Sequence, residues 1–137
     1  MSRRFIIFSL MLFLVSCGSQ RSEIVVNSLN AEVNDWGFAS LWVEAYNKGD
    51  EAGEITMWRV DIKSSTGRNI VWYEESVLRE NHNGPDWSPL IGAKQVSKFC
   101  VHRGRGATDY RGALADVAVW VSDDEGEYII GDTAEFP

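Results

Sequence analysis

The strongest constraint on the fold of this chain is an alternation of apolar and polar side chains with a period of two residues. In residues 56–63, Trp58, Val60 and Ile62 fall on one face, and mostly charged side chains fall on the other. Successive side chains of a β-strand point to opposite faces of a sheet, so this pattern predicts a strand buried on one face only. A chain dominated by such segments is expected to fold as packed β-sheets.

The same alternation recurs from residue 24 onward. The longer examples are residues 41–46 and 116–122, and shorter apolar runs predict further strands at residues 24–26, 70–73, 96–101 and 128–130. Polar turns that contain Gly separate several of these runs, at residues 47–53, 64–68 and 123–127. Residues 79–92 contain two prolines and are predicted to be a loop. Only residues 74–80 offer a helical pattern, and it is short.

About seven short strands in roughly 110 residues are typical of an immunoglobulin-like antiparallel β-sandwich, and a small barrel is the alternative. One strand ends in Asn-x-Gly at Asn47 and Gly49, residues 55–62 follow as the next strand, and residues 117–130 form a final hairpin. This arrangement resembles the disulfide-free bacterial domains related to fibronectin type III. The resemblance spans about residues 38–131 and carries no activity. With the first strand included, the predicted β-sandwich domain covers residues 24–137.

The N-terminus is similar to a bacterial lipoprotein signal peptide. Arg3 and Arg4 precede an apolar run at residues 5–15, which as a helix would cover about 16 Å and is too short to cross a bilayer. The run leads into a sequence that matches the lipobox at all four of its positions, namely Leu14, Val15, Ser16 and Cys17. An ordinary secretory signal is the alternative.

This resemblance implies cleavage after residue 16, a covalent lipid on Cys17 and a short tether over residues 17–23. Two or more acyl chains hold a protein stably to a membrane. Gly18 stands where an Asp would favour retention at the inner membrane, so we expect an outer-membrane anchor that faces the periplasm. With Cys17 lipidated, Cys100 is the one remaining cysteine and no intramolecular disulfide is expected.

The charge of the chain argues against nucleic acid as a partner. The net charge is -7, and removal of residues 1–16 takes away two arginines and no acid, which makes it -9. Nucleic-acid binding requires clustered cationic side chains that replace counterions. The one positive neighbourhood contains Arg103, Arg105 and Arg111 among glycines. A mobile solvated loop is the favoured interpretation of this stretch, and contact with an anion or with the acidic patch of another protein is the functional hypothesis.

Cys100 and His102 are the weak candidates for a metal site. They are two residues apart, so on a regular strand both side chains would point to the same face. A small buried thiol and a histidine at a strand end are the favoured interpretation. We therefore expect no metal, no cofactor other than the lipid, and no catalytic residues.

The tryptophans are the best indication of function, since six are many for a domain of this size. If Leu41, Val43 and Ala45 face the core, then Trp42 and Tyr46 face outward, and the same reasoning turns Trp120 outward. Outward tryptophans are typical of protein interfaces and of sugar-binding platforms, although rings packed beneath a loop are the alternative.

These observations predict a lipid-anchored cell-envelope protein that acts as a non-catalytic binding or accessory module, with a protein as its partner. A carbohydrate-binding module that uses the same tryptophans is the first alternative. A metal-binding periplasmic protein centred on Cys100 and His102 is the second.

Overall fold

A computed structural model describes residues 21–77 and 87–137, and it confirms an all-β immunoglobulin-like sandwich. The described residues form eight strands and one short helical turn. In chain order these are β1 (Ile24–Val33), β2 (Phe38–Asn47), β3 (Gly53–Lys63), β4 (Asn69–Ser76), β5 (Leu90–Ile91), β6 (Val96–Arg105), α1 (Ala107–Tyr110), β7 (Leu114–Asp123) and β8 (Gly126–Glu135).

The strands form two antiparallel sheets. One has the order β1-β2-β6, and the other has the order β4-β3-β7-β8, with β5 paired to the start of β3. Each of the seven predicted strands lies within an observed one. Alternation identified three of them, because each sheet buries one face and leaves the other toward solvent, and short apolar runs identified the other four.

The eighth strand, β5, lies within the segment predicted to be a loop. It follows Pro89, whose carbonyl accepts a hydrogen bond from the Ile55 amide at 2.8 Å. Proline lacks only the donor, so its carbonyl can still join a sheet, and Leu90 and Ile91 pair with β3 immediately after it. Residues 79–86 of the predicted loop lie outside the described part of the chain.

The short helical pattern at residues 74–80 is not a helix in its described part. Residues 74–76 continue β4 and pair with residues 57–59 of β3. Cross-strand pairing outweighs the weak helical preference of three residues, because a helix this short is not stable in isolation.

The core lies between the inward rows of the two sheets. It is built from side chains of β2, β3, β6 and β7, including Leu41, Val43, Ala45, Trp58, Val60, Ile62, Phe99, Val117, Val119 and Val121. Trp58 stacks on Phe99 with ring centroids 5.5 Å apart, and Trp87, from the segment predicted as a loop, contacts the Phe99 ring at 5.0 Å. Trp87 is therefore partly a core residue.

At one end of the sandwich, the chain enters beside the connection of β7 to β8. Ser22 is buried, and its hydroxyl donates to the Asp123 carboxylate and lies 2.8 Å from the Tyr128 hydroxyl. Partial burial raises the pKa of the Asp123 carboxyl, but hydrogen bonds from Ser22 and from the Glu125 amide lower it by more. The pKa of Asp123 therefore lies below its usual value. We call this end, where Ile24 is in register with Asn47, the entry end.

At the opposite end, residues 34–37 connect β1 to β2, and α1 follows β6. Phe38 is in register with Arg105 there, and the Gly106 amide donates to the Gly37 carbonyl at 3.0 Å. We call this the far end.

No helix in residues 21–77 or 87–137 is long and apolar enough to cross a membrane.

Candidate functional site: an aromatic and arginine face

The outward row of β2 carries aromatic side chains. Because Ala39, Leu41 and Val43 are fully buried, the residues between them point away from the core. That row consists of Phe38, Ser40, Trp42, Glu44 and Tyr46. Phe38 is 42% exposed, and Trp36, in the preceding connection, is 84% exposed.

A β-bulge at Val101 determines which side chains β6 places beside this row. Trp42 is in register with Cys100, but its neighbour Leu41 is in register with His102, so Val101 is an extra residue in β6. The alternation of β6 changes phase at this point. Beyond the bulge, Arg103 is in register with Ser40 and Arg105 with Phe38, which puts both arginines on the outward face.

The two arginines stack on the aromatic rings of β2. The Arg103 guanidinium carbon lies 5.7 Å from the centre of the Trp42 ring, and that of Arg105 lies 5.5 Å from the centre of the Phe38 ring. Both separations are within the range of cation–π attraction. We call the surface formed by Phe38, Trp42, Arg103 and Arg105 the aromatic–arginine face.

The guanidinium groups of this face have no carboxylate within 4 Å among the described residues, where the ion pairs are Lys63 with Asp61 and Lys94 with Asp50. A depression of about 280 Å³ lies beside Trp42 and Arg103, lined also by Phe38 and Ser40. That volume is slightly below the range of small-molecule sites, so it suits one side chain of a partner better than a cofactor.

The structure places the three predicted contact residues on two different sheets. Trp42 and Tyr46 lie on the outward row of β2. Trp120 lies on the outward row of β7, where the Arg59 guanidinium carbon is 5.9 Å from the centre of its ring. The outer faces of the two sheets point in opposite directions, so Trp120 cannot share a contact surface with Trp42.

The three predicted anion-binding arginines are also separated. Arg103 and Arg105 belong to the aromatic–arginine face, whereas Arg111 follows α1 in the connection to β7. Phe38 was not among the predicted contact residues, although the sequence pattern could have identified it. Phe38 and Trp42 both have even numbers in a strand whose odd-numbered residues are buried, so both point outward. Cys17 lies outside the described residues.

The expectation that Cys100 and His102 point to the same face is wrong, because the bulge lies between them. Cys100 is in register with outward-facing Trp42, and His102 with inward-facing Leu41. The buried Cys100 thiol donates to the His102 carbonyl at 3.2 Å. Across residues 21–77 and 87–137, no three His, Cys, Asp or Glu side chains come together in a way that could hold a metal ion.

His102 lies between two tyrosines. Its Nε2 is 2.9 Å from the Tyr110 hydroxyl and its Nδ1 is 3.4 Å from the Tyr73 hydroxyl. Tyr73 donates its proton to the Val101 carbonyl, so its oxygen is left to accept from Nδ1, and Tyr110 can then donate to Nε2. This arrangement fits a neutral imidazole.

Burial shifts the acid–base behaviour of all three groups. It lowers the pKa of His102 below its usual value, and it is the main cause that raises the pKa of Tyr73 and Tyr110. The charge of Glu75 adds to the shift of Tyr73, and that of Asp109 to the shift of Tyr110. All three groups are held uncharged at neutral pH.

Comparison with solved structures supports the sandwich fold. The structure is similar to a crystal structure named for ApaA of Bordetella pertussis, with a TM-score of 0.63 and 8% sequence identity over 85% of this chain and 95% of that one. It is also similar to the structural genomics target SoR45, with a TM-score of 0.55 and 9% identity over 88% of this chain and 89% of that one. At these identities the likeness concerns the fold alone.

The class that fold and comparisons define is therefore an immunoglobulin-like antiparallel β-sandwich. A CARDB domain of Pyrococcus furiosus, solved with two metal ions, matches at a TM-score of 0.41 and 12% identity over 85% of this chain and 89% of that one, which is too distant to support an argument. No family model and no curated protein matches the chain.

Proposed function

We propose that this chain is a lipid-anchored cell-envelope module that binds a protein partner through the aromatic–arginine face and performs no catalysis. The observation that carries this proposal is the pair of guanidinium groups stacked on two outward rings, without a carboxylate partner in the described residues. Arginine and aromatic residues are enriched at protein interfaces and supply most of the energetically dominant contacts there.

The form of the face favours a protein over a sugar. A sugar platform needs open ring faces, and here Arg103 covers one face of the Trp42 ring while Arg105 covers one face of Phe38. Stacking also holds the guanidinium groups in place before a partner arrives, which reduces the entropy lost on binding.

A non-catalytic role is supported by the way in which His102 is held. Its two nitrogens lie within hydrogen-bond distance of the Tyr110 and Tyr73 hydroxyls, so both are already engaged within the protein. A general base requires a free nitrogen within hydrogen-bond reach of the proton that it removes.

The proposed lipid anchor is supported by the four lipobox residues, and it is tested at Cys17. We expect Cys17→Ala to abolish incorporation of labelled fatty acid, to slow the protein in gel electrophoresis because the signal peptide is retained, and to reduce the lipid-dependent membrane fraction. Ser16→Ala, which alters the lipobox but retains the thiol, is the matched control. Unchanged mobility and fatty-acid labelling of Cys17→Ala would contradict the anchor.

The partner-binding surface is tested by a photo-crosslinking residue placed at one of two positions. Ser40 lies on the aromatic–arginine face, and Thr133 is exposed on the outer face of the other sheet. We expect one stoichiometric protein adduct from Ser40 and none from Thr133, in cells that produce the full chain. The adduct should diminish when Trp42→Ala is added. Equal adducts from both positions would contradict the proposal.

A carbohydrate-binding module is the second candidate, and the observation that favours it is Trp36, whose side chain is 84% exposed at the far end. An adduct at Ser40 that contains glycan and no protein would support this candidate and overturn the first.

A further inference from the structure

We infer that the partner segment recognised by this face is an extended acidic peptide whose carboxylates occur at every second residue, lying along β6 across Arg103 and Arg105. This inference rests on the proposed function, because it specifies the chemistry of the partner at the same surface. Its first support is spacing. Arg103 and Arg105 are two residues apart on one face of β6, in register with Ser40 and Phe38.

Side chains two residues apart on a strand are about 6.6–6.8 Å apart. The same distance separates alternate side chains of any extended peptide, so two carboxylates at positions i and i+2 match the two guanidinium groups. Arginine binds a carboxylate through two parallel hydrogen bonds in the guanidinium plane, and stacking on an aromatic ring leaves the edges of that plane available.

The second support is the distribution of charge across the face. The outward row of β6 carries Lys98, Arg103 and Arg105, whereas the acids of the same face lie on the other strands. Two acids of this face can be located from the strand register. Glu32 on β1 lies opposite Ser40 of β2, and Glu44 on β2 lies opposite Lys98 of β6. An acidic ligand is therefore attracted by the cations of β6 and repelled by Glu32 on the β1 side of the face, which favours a position along β6.

The third support concerns the free edge of β6, where a peptide could otherwise add as a new strand. The Tyr73 hydroxyl donates to the Val101 carbonyl at the bulge, and the bulge also interrupts the regular ladder. A continuous edge is required for strand addition. The peptide is therefore placed on the outer face, where the arginine side chains are presented.

The test uses the full-length chain, purified in a non-ionic detergent, and labelled octapeptides with blocked termini followed by fluorescence anisotropy. One peptide alternates Glu and Thr. A second, the block peptide, has the same composition in the order Glu-Glu-Thr-Thr-Glu-Glu-Thr-Thr, in which no two Glu are two residues apart. A third replaces every Glu of the alternating peptide with Gln. We expect the alternating peptide to bind at least about fivefold more tightly than the block peptide, and the Gln peptide to show no saturable binding.

The variants assign the effect to the face. Arg103→Gln and Arg105→Gln are each expected to weaken the alternating peptide about two- to fivefold, the range of exposed ion pairs, and both effects should fade as salt is raised. Arg59→Gln is the matched control, since Arg59 makes the same stack on Trp120 of the other sheet. Each variant is checked by its thermal midpoint, and Arg→Lys replaces any Arg→Gln that fails to fold.

Equal affinity for the alternating and block peptides would overturn the inference, and so would an effect of Arg59→Gln as large as that of Arg103→Gln. Binding of a sulfated glycan without binding of any peptide would also overturn it. If Ser40 still crosslinks to one protein in cells while the alternating peptide fails, the peptide chemistry is wrong and the proposed surface stands.

Discussion

At the scale of single residues, Gly104 shows how the structure uses the absence of a side chain. A Cβ at this position would overlap the Tyr110 hydroxyl and press on His102. Tyr110 can pack across β6, with its ring also 5.3 Å from Phe136, only because residue 104 is glycine. The requirement here is for space and not for an unusual backbone angle.

We expect Gly104→Ala to destabilise the fold by about 1–3 kcal/mol, because Tyr110 must move and its hydrogen bond to His102 is strained. Chemical denaturation measures the loss. Tyr110→Phe provides the control, since it removes the oxygen that overlaps with the new methyl group. Gly104→Ala should therefore cost less in the Tyr110→Phe background, and equal costs would show that the overlap is not the cause.

His102 makes stability depend on pH. Burial lowers its folded-state pKa below the usual value near 6.5, so the unfolded chain binds a proton at a pH where the folded chain does not. Stability is therefore intact above about pH 6.5 and falls as pH decreases through the unfolded-state pKa toward the folded-state pKa. The Tyr73 and Tyr110 hydroxyls face its two ring nitrogens, and neither supplies a compensating negative charge.

The expected result is a thermal midpoint that falls between pH 7 and pH 5 in the unmodified chain and falls less in His102→Gln. His82→Gln serves as the comparison for the other histidine. An identical pH profile for His102→Gln and the unmodified chain would contradict this account.

At the scale of elements, the connection from β2 to β3 is organised by Asn47. Its side-chain amide donates to the Glu51 and Ile91 carbonyls at 2.8 and 3.0 Å. Its side-chain oxygen accepts from the Glu23 and Gly49 amides at 3.0 and 2.9 Å. One buried side chain thus joins β1, β5 and this connection. The same packing explains the Asn-x-Gly sequence. Asn47 makes these hydrogen bonds, and residue 49 must be glycine because a Cβ there would overlap the Arg21 carbonyl.

Replacing Asn47 with Ala should cost roughly 2–4 kcal/mol, because four hydrogen bonds are lost and buried backbone groups remain without partners. Asn47→Asp should also destabilise strongly, since a carboxylate would face two carbonyl oxygens. Thermal and urea denaturation test both. Lys48→Ala, at the exposed neighbouring position, is expected to change stability by less than about 0.5 kcal/mol.

The elements also show what could be predicted from sequence. Strands were predictable because burial of one face leaves a period of two, as in Trp58, Val60 and Ile62. The bulge at Val101 could not be predicted in this way, because the surrounding residues Phe99, Cys100 and Val101 are all apolar and show no alternation whose phase could be seen to change. The stacking of Arg105 on Phe38 depends on the register of β2 and β6, which are separated by three other strands, and a single sequence does not contain that register.

At the scale of the whole molecule, the two outer faces of the sandwich are similar in composition but are expected to differ in function. Each carries a tryptophan beneath an arginine, Trp42 with Arg103 and Trp120 with Arg59. The outward row of β6 adds a second stacked arginine to the first face, and the proposed partner binds there.

We therefore expect Trp42→Ala to weaken partner binding substantially and Trp120→Ala to leave it unchanged, with small losses of stability in both. Crosslinking yield from Ser40 and the thermal midpoint are the two measurements. A large loss of stability in Trp42→Ala would instead assign its ring to packing, and equal losses of binding would show that the two faces are not distinct.

The two ends of the sandwich differ in charge. Among the described residues, the entry end carries the acids Asp50, Glu51, Asp123, Asp124 and Glu125, whereas Arg105 and Arg111 lie at the far end. Ser22 fixes the start of the domain at the acidic end through Asp123 and Tyr128.

The position of Ser22 limits how far each end of the domain can lie from a lipid anchor on Cys17. With a lipid on Cys17, five residue steps separate the anchor from Ser22, at most about 18 Å of extended chain. The ten residues of β1 then run from the acidic end to the far end, about 30 Å further along the domain from the anchor. Trp36 and Arg105 would stand at the outermost point, so a partner could bind them without approaching the lipid surface.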